Sequence, residues 1–134
     1  SYSERMTVDP KGTAAINRTL ALFEALVLDG GHRPLSAIAL ELDLPPSTAH
    51  RMVALLVSRG LIAPARRGHY MAGLALAELG RRSDPNHILG EAARPLLRRL
   101  ARAARATAHL GVWDGDMVTY LVKESGGGSK LFTE

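Results

Sequence analysis

Residues 44–60, LPPSTAHRMVALLVSRG, constrain the fold of this chain more than any other stretch. Two prolines precede a polar cluster, an apolar run follows, and a glycine closes it. Proline is accepted in the first turn of a helix, where backbone N–H groups have no intrahelical partner, and its ring presets φ. At roughly 100° per residue, Ala49, Met52, Val53 and Leu56 fall on one side of such a helix. Ser47, Arg51, Ala54 and Ser58 fall on the other, flanked by Thr48 and His50. One face is made to pack. The opposite face is small and polar around a single long arginine.

The segment before it supplies a second, short helix over about 35–42, with Ile38, Ala39 and Leu42 inward. Ser36 and Pro34 both qualify at its start; Pro34 at the first helical position leaves the longer helix and is preferred. Asp43-Leu44 is then a tight turn. Two helices within about 25 residues, joined in this way, form a helix-turn-helix. Upstream, Thr13 is a fair N-cap for a helix over 14–28. Its Ile16, Leu20, Phe23 and Val27, with Leu22 and Leu26 beside them, recur at helical spacing. Asp29-Gly30-Gly31 ends it, because glycine accepts the left-handed backbone of a helix terminus. Residues 1–12, broken by Pro10 and Gly12, are expected to be a mobile arm.

After Gly60 the period changes. Leu61-Ile62-Ala63 and His69-Tyr70-Met71 are short strand candidates around the turn Pro64-Ala65-Arg66-Arg67-Gly68. A hairpin directly after such a helix is a wing, with two arginines at its tip. Leu74 to about Gly80 makes a further short helix, residues 81–85 a linker with Asp84 as a cap, and 87–106 a long helix. Leu89, Ala93, Leu96, Leu97, Leu100 and Ala104 share one stripe of that helix, and arginines cover the rest. Pro95 inside it predicts a kink or a break. Residues 107–123 form a β-hairpin turning at Asp114-Gly115-Asp116. Gly126-Gly127-Gly128-Ser129 is expected to be flexible, and Lys130-Leu131-Phe132-Thr133 to start another strand. Two or three strands make no stable domain alone, so the chain is expected to stop inside a second domain.

Composition sets the outer limits. The 134 residues fit one ordinary domain or two small ones. Hydrophobic residues make up 46% and aromatics only 4%, so the core is aliphatic, as in helices packed on helices. The net charge of +4 is carried largely by arginine, whose planar fork matches phosphate better than a lysine ammonium does. No cysteine is present, which excludes disulfides, thiolate metal sites and cysteine nucleophiles. No apolar run reaches the length of a membrane span and no signal-peptide pattern opens the chain, so the default location is the cytoplasm.

Four segments carry a resemblance: LPPSTAHRMVALLVSRGLI, GHYMAGLALAELG, EAARPLLRRLA and TAHLGVWDGDMVTYL. In this order and spacing, over roughly residues 13–134, the chain resembles the IclR (isocitrate lyase regulator) family of bacterial transcription factors. The resemblance implies a mainly α fold with a small β-wing. It divides into a winged helix-turn-helix DNA-binding domain over 13–80, a linker and linker helix over 81–106, and from 107 the first strands of a truncated α+β, GAF-like effector domain. It implies a regulator, in most cases a repressor, that binds a near-palindromic double-stranded operator as a homodimer or tetramer. A small organic effector would bind in the C-terminal domain, in a pocket built mostly from sequence past Glu134. It implies no enzyme, no cofactor and no membrane. Ser47, Thr48, His50 and Arg51 occupy positions of the family's recognition helix, and Arg66 and Arg67 fall in its wing. Pro46 departs from the family, where a basic residue commonly stands, and the family's wing tip is more often acidic and glycine-rich.

The residue chemistry runs parallel. Arg51 is able to fork to the two acceptors of guanine or hold a phosphate, and Ser47, Thr48 and His50 to bond phosphates or base edges. A helix N-terminus itself favours phosphate. Ala54 is small enough to let the helix sit deep in a groove or meet a thymine methyl. Arg18 is open to a phosphate contact or to a surface salt bridge. The arginines of 94–105 are assigned to the wet side of an amphipathic helix whose apolar stripe suits dimer packing. His32, His50, His69, His87 and His109 show no ligand spacing. Asp114 and Asp116 are hairpin residues rather than catalytic carboxylates. The GGGSK stretch lacks the strand–loop–helix context and Lys-Ser order of a phosphate loop. His109 and Trp113 alternate along a strand and suit either a ligand pocket or core packing. Two alternatives stay open: a winged-helix protein-interaction module, and another winged-helix regulator family such as a MarR-like one.

Overall fold

The computed structural model describes residues 10–127, with side chains from residue 12. Residues 1–9 of the expected arm, Gly128-Ser129 and the expected strand at 130–133 lie outside the described residues. The chain divides into two compact units, Ser1–Leu79 and Gly80–Glu134.

The first unit begins with helix α1, Pro10–Asp29. Its start corrects two expectations: residues 10–12 are helical rather than part of an arm, and Thr13 lies inside the helix rather than capping it. Pro10 fits the first turn because no hydrogen bond is required of its nitrogen there. Gly12 is tolerated at a cost of about 1 kcal/mol relative to alanine. The stripe expected to pack is also displaced. Leu22 and Leu26 are fully buried at 0% exposure, Phe23 and Val27 are partly buried, and Ile16 and Leu20 are 58% and 48% exposed. Helix α1 is apolar on two adjoining faces, and packing uses the one centred on Leu22 and Leu26.

Helix α2, Leu35–Glu41, starts one residue later than expected, because Pro34 is the N-cap in an extended conformation (φ −69°, ψ 155°). No side chain caps it. The free N–H of Leu35 instead donates to the Gly68 carbonyl at 2.8 Å, so a distant loop meets a need that Ser or Asp usually meets locally. Asp43 adopts φ 59° in the turn, and helix α3, Pro46–Ser58, follows with Pro45 as N-cap and Pro46 in its first turn. Ala49, Met52, Val53 and Leu56 are all buried, as the angular pattern predicts. They close the core with Leu35, Ile38, Ala39, Leu44 and Ile62 from the neighbouring elements. Full burial of each large aliphatic side chain contributes about 1.5–3 kcal/mol.

Strands β1, Ile62–Arg66, and β2, His69–Ala72, pair antiparallel. Pro64 and Arg66 belong to the strand rather than to the turn, which shortens to Arg67-Gly68; the register slips between Pro64 and Arg66. A two-stranded ribbon leaves one side of each strand unpaired, which is where proline's missing N–H does no harm. Helix α4, Leu74–Arg82, takes in Arg81 and Arg82, which were expected in a linker; basic residues in a last turn suit the helix dipole.

The second unit is helix α5, Pro85–Ala104, packed on a hairpin of β3, Thr107–Asp114, and β4, Met117–Ser125. Asp84 accepts a hydrogen bond from the His87 N–H at 3.2 Å, the expected cap. The helix runs through Pro95 without a break. Its packed line is Gly90, Leu97 and Ala101, with Ala93 partly buried, while Leu89, Leu96 and Leu100 of the expected stripe are exposed. Gly90 is demanded by close approach: a Cβ there would lie 2.8 Å from Val122 Cγ2. Asp114 pairs with Met117, so the hairpin loop is Gly115-Asp116. Gly115 alone of the two has positive φ (60°), the backbone pattern of a type II′ turn. Gly126 is not part of a free tail, since its N–H donates to the Ala106 carbonyl at 2.9 Å.

Candidate nucleic-acid interface

Helix α3 presents the site. Burial of Ala49, Met52, Val53 and Leu56 fixes its rotation, so Ser47, His50, Arg51, Ala54 and Ser58 are exposed and Thr48 is partly buried at the flank. The Ser58 hydroxyl turns back on the helix to the Leu55 carbonyl at 2.6 Å. The helix N-terminus has no side-chain cap, and Pro46 brings no N–H, so the Ser47 and Thr48 N–H groups are the donors left without an intrahelical partner.

On one flank α3 and α1 enclose an open cleft of about 340 Å³, lined by Ala15, Arg18 and Thr19 from α1 and by Thr48, Arg51, Met52 and Leu55 from α3. The two sets have helical spacing, so each is one edge of its helix. The cleft has an apolar floor and two arginines at its rim.

Arg66 and Arg67 are exposed at the wing. The structure does not bring them to that cleft; Arg66 borders a shallow concavity with Gly30, Gly31, His32 and Ala65. Two long-range bonds hold the wing. Besides the Leu35–Gly68 bond, His69 Nδ1 lies 3.0 Å from the Gly31 carbonyl. Sequence reasoning had no signal for either, since both join residues distant along the chain.

Arg33, Arg94 and Arg98 are held by carboxylates within their own unit. Arg33 is held by Asp29 at 3.0 Å and Glu41 at 2.6 Å. Backbone and side-chain hydrogen bonds from Arg33 hold the Asp29 carboxyl below its ordinary pKa, and the two carboxylates raise that of Arg33. In the second unit Arg94 bonds Glu91 at 2.9 Å and Glu124 at 3.1 Å, and Arg98 also bonds Glu124. The Arg98 guanidinium, with Arg94, lowers the Glu124 pKa. Arg18, Arg51, Arg66 and Arg67, like Arg59, Arg99, Arg102 and Arg105, form no ion pair with any other described residue. What sets the first four apart is their place on α1, α3 and the wing. The sequence contains no Asp or Glu between Asp43 and Glu78, so α3 and the whole wing lack carboxylates. That gap in acidic residues is a signal legible in the sequence alone.

Among the described residues no group of three His, Asp or Glu side chains converges as a metal site, and no helix is long and apolar enough to cross a membrane. His109 and Trp113 are exposed, with Trp113 at 78%, on the sheet face opposite the buried Ala108 and Val122. The His109 ring lies 5.1 Å from that of Tyr120.

Residues 15–65 match the IclR helix-turn-helix domain. The chain is 34% identical over 114 residues to the HTH-type transcriptional regulator BhcR of Paracoccus denitrificans, covering 84% of this chain and 40% of that protein. It is 29% identical over 110 residues to the HTH-type transcriptional repressor AllR of Escherichia coli, covering 81% of this chain and 41% of that protein. The chain thus spans about two fifths of the length of these curated relatives. Among solved structures it is similar to an IclR homolog from Microbacterium sp. strain HM58-2, at 27% identity and a TM-score of 0.52, covering 84% of this chain and 48% of the other. An IclR-family regulator from Rhodococcus superposes with a TM-score of 0.64 at 20% identity, covering 91% and 48%, a likeness of fold.

Proposed function

We propose, on the premise that residues 15–65 are an IclR helix-turn-helix domain, that this chain is the DNA-reading part of a transcriptional repressor. The observation that carries the reading is the outward face of α3: exposed, free of carboxylates, and centred on an Arg51 that pairs with no described acid. Arg51 reads a guanine edge, Ser47, Thr48 and His50 bond neighbouring bases or phosphates, and Arg66 and Arg67 touch the backbone beside them. Phosphate contacts supply most of the affinity, which therefore falls as salt rises.

The regulator acts as a dimer on a near-palindromic operator, with recognition helices about 34 Å apart or a multiple of it. Exposed Ile16 and Leu20 on α1 and Leu89, Leu96 and Leu100 on α5 supply apolar surface for assembly. We assign residues 13–80 to the DNA-binding domain, 81–106 to the linker helix, and the hairpin from 107 to the start of a GAF-like domain whose remainder binds a small organic effector. The repressor sign follows the name of AllR. DNA binding of this kind places the protein in the cytoplasm.

A mobility-shift titration with the upstream region of its own gene, against a scrambled duplex, tests the reading. Selective retardation that weakens with salt and is lost in Arg51→Ala supports it. Equal retardation of both duplexes, or an Arg51→Ala variant that binds unchanged, overturns it in favour of a protein-interaction module.

A further inference from the structure

We propose that the cleft between α1 and α3 is the seat of a DNA phosphate, and that Arg18 is a contact residue that holds it. The proposal rests on the DNA-binding reading and extends it to a helix outside the helix-turn-helix pair.

Three observations carry it. First, Arg18 lies at the rim of one cleft with Thr48 and Arg51, although the residues are far apart in sequence. Second, its charge is not neutralised internally: unlike Arg33, Arg94 and Arg98, it pairs with no described carboxylate. Third, the wall opposite it belongs to the helix that the functional reading sets against DNA. Around α3 at roughly 100° per residue, Arg51 lies between the outward direction of Ser47 and Ser58 and the cleft flank of Thr48 and Leu55. A duplex that meets Arg51 therefore runs its adjoining sugar–phosphate strand past the mouth of the cleft.

The lining decides what the cleft accepts. The Ala15 and Leu55 side chains offer no hydrogen bonds and the Met52 thioether only a weak acceptor, so a base edge gains little by entering. The Thr19 hydroxyl is already used, donating to the Ala15 carbonyl at 2.9 Å. What remains is the Arg18 guanidinium and the Thr48 hydroxyl, which suit a phosphodiester oxygen and carry no sequence information. Arg18 thus contributes affinity and register, and Arg51 discrimination.

The test measures binding of the protein and its Arg18→Ala, Arg18→Lys and Arg51→Ala variants to the upstream duplex and to a scrambled one, across a salt series. The expected result for Arg18→Ala is a loss of about ten-fold on both duplexes alike, with the slope of log K against log salt reduced by about one. Arg18→Lys retains the slope, because a point charge still serves a phosphate. Arg51→Ala instead narrows the ratio between the two duplexes. Thermal melting of Arg18→Ala should match the parent, since the side chain is exposed. If the parent binds selectively while Arg18→Ala binds both duplexes unchanged, this proposal fails and the functional reading stands. It also fails if Arg18→Ala alters only the ratio, which would make Arg18 a reader of bases. If the parent binds neither duplex at low salt, the functional reading fails and this one with it.

Discussion

The two units of the chain differ in how their arginines meet carboxylates. In the second, Arg94 and Arg98 converge on Glu124 and tie α5 to β4. In the first, Arg18, Arg51, Arg66 and Arg67 sit on surfaces where no described carboxylate meets them, and among its described arginines only Arg33 is held, by Asp29 and Glu41. Arg99, Arg102 and Arg105 of the second unit likewise meet no described carboxylate, but lie on α5 or at its C-cap, outside that cluster. The cores differ in parallel. The first is assembled from every element between α1 and β1, with Leu22, Leu26, Ile38 and Ile62 almost wholly excluded from water. The second has four buried side chains, Leu97, Ala101, Ala108 and Val122, of which only the small Ala101 is as deep. Ion pairs reinforce the unit with little apolar burial.

The largest expected effect tests the cores. Leu26→Ala should destabilise the first unit by about 2–5 kcal/mol, because a fully enclosed site leaves a cavity when it loses its side chain. Leu97→Ala, at a site 7% exposed within a smaller cluster, should cost about 2 kcal/mol or less. Urea unfolding, followed separately for the two units, measures both. Equal losses would remove the distinction between a closed and an open core.

Next in size is the effect on binding. Arg51→Ala should cost about 1–3 kcal/mol of operator affinity and relax selection at one base position, with no change in melting. Replacing Arg66 and Arg67 together by alanine should leave selection intact and reduce the salt slope by about two. If the wing pair instead changes the base preference, the division between reading and positioning residues must be redrawn.

Much of this was legible in the sequence, for reasons that differ from one element to the next. Helix α3 has a single apolar face, so its angular pattern gave both its buried line and its outward residues. Helix α1 has two apolar faces, and nothing local says whether Ile16 and Leu20 or Leu22 and Leu26 face inward; the position of α3 decides. The same holds for α5, where the tight fit of Gly90 against Val122 selects the packed line and leaves Leu89, Leu96 and Leu100 outside. Helix starts failed where a tertiary bond replaced a local cap, as at Leu35, whose N–H is met by Gly68. The outward face of α3 was legible as an exposed face. The cleft that adds Arg18 to it was not, because it exists only once two distant helices are side by side.

The smallest expected effect bears on the paired arginines. Glu124 in the second unit and Asp29 in the first both have carboxyl pKa values lowered by arginine, from ordinary values of 4.5 and 3.8. A depressed folded-state value means that the stabilisation is present above the unfolded value and is lost as pH falls through the folded one. The Asp29 and Glu124 side chains are only 6% and 16% exposed, but the Arg33 and Arg98 that pair with them are about half exposed, so the effect is modest and partly screened by salt. Melting temperature should therefore hold from neutral pH down to about 5 and decline below about 4. Glu124→Gln should flatten that decline in the second unit alone and Asp29→Asn in the first alone, each lowering the neutral-pH value slightly. An acid profile for Glu124→Gln that superposes on the parent would mean that the Arg94–Glu124–Arg98 cluster contributes nothing. The thin core of the second unit would then have to stand without it.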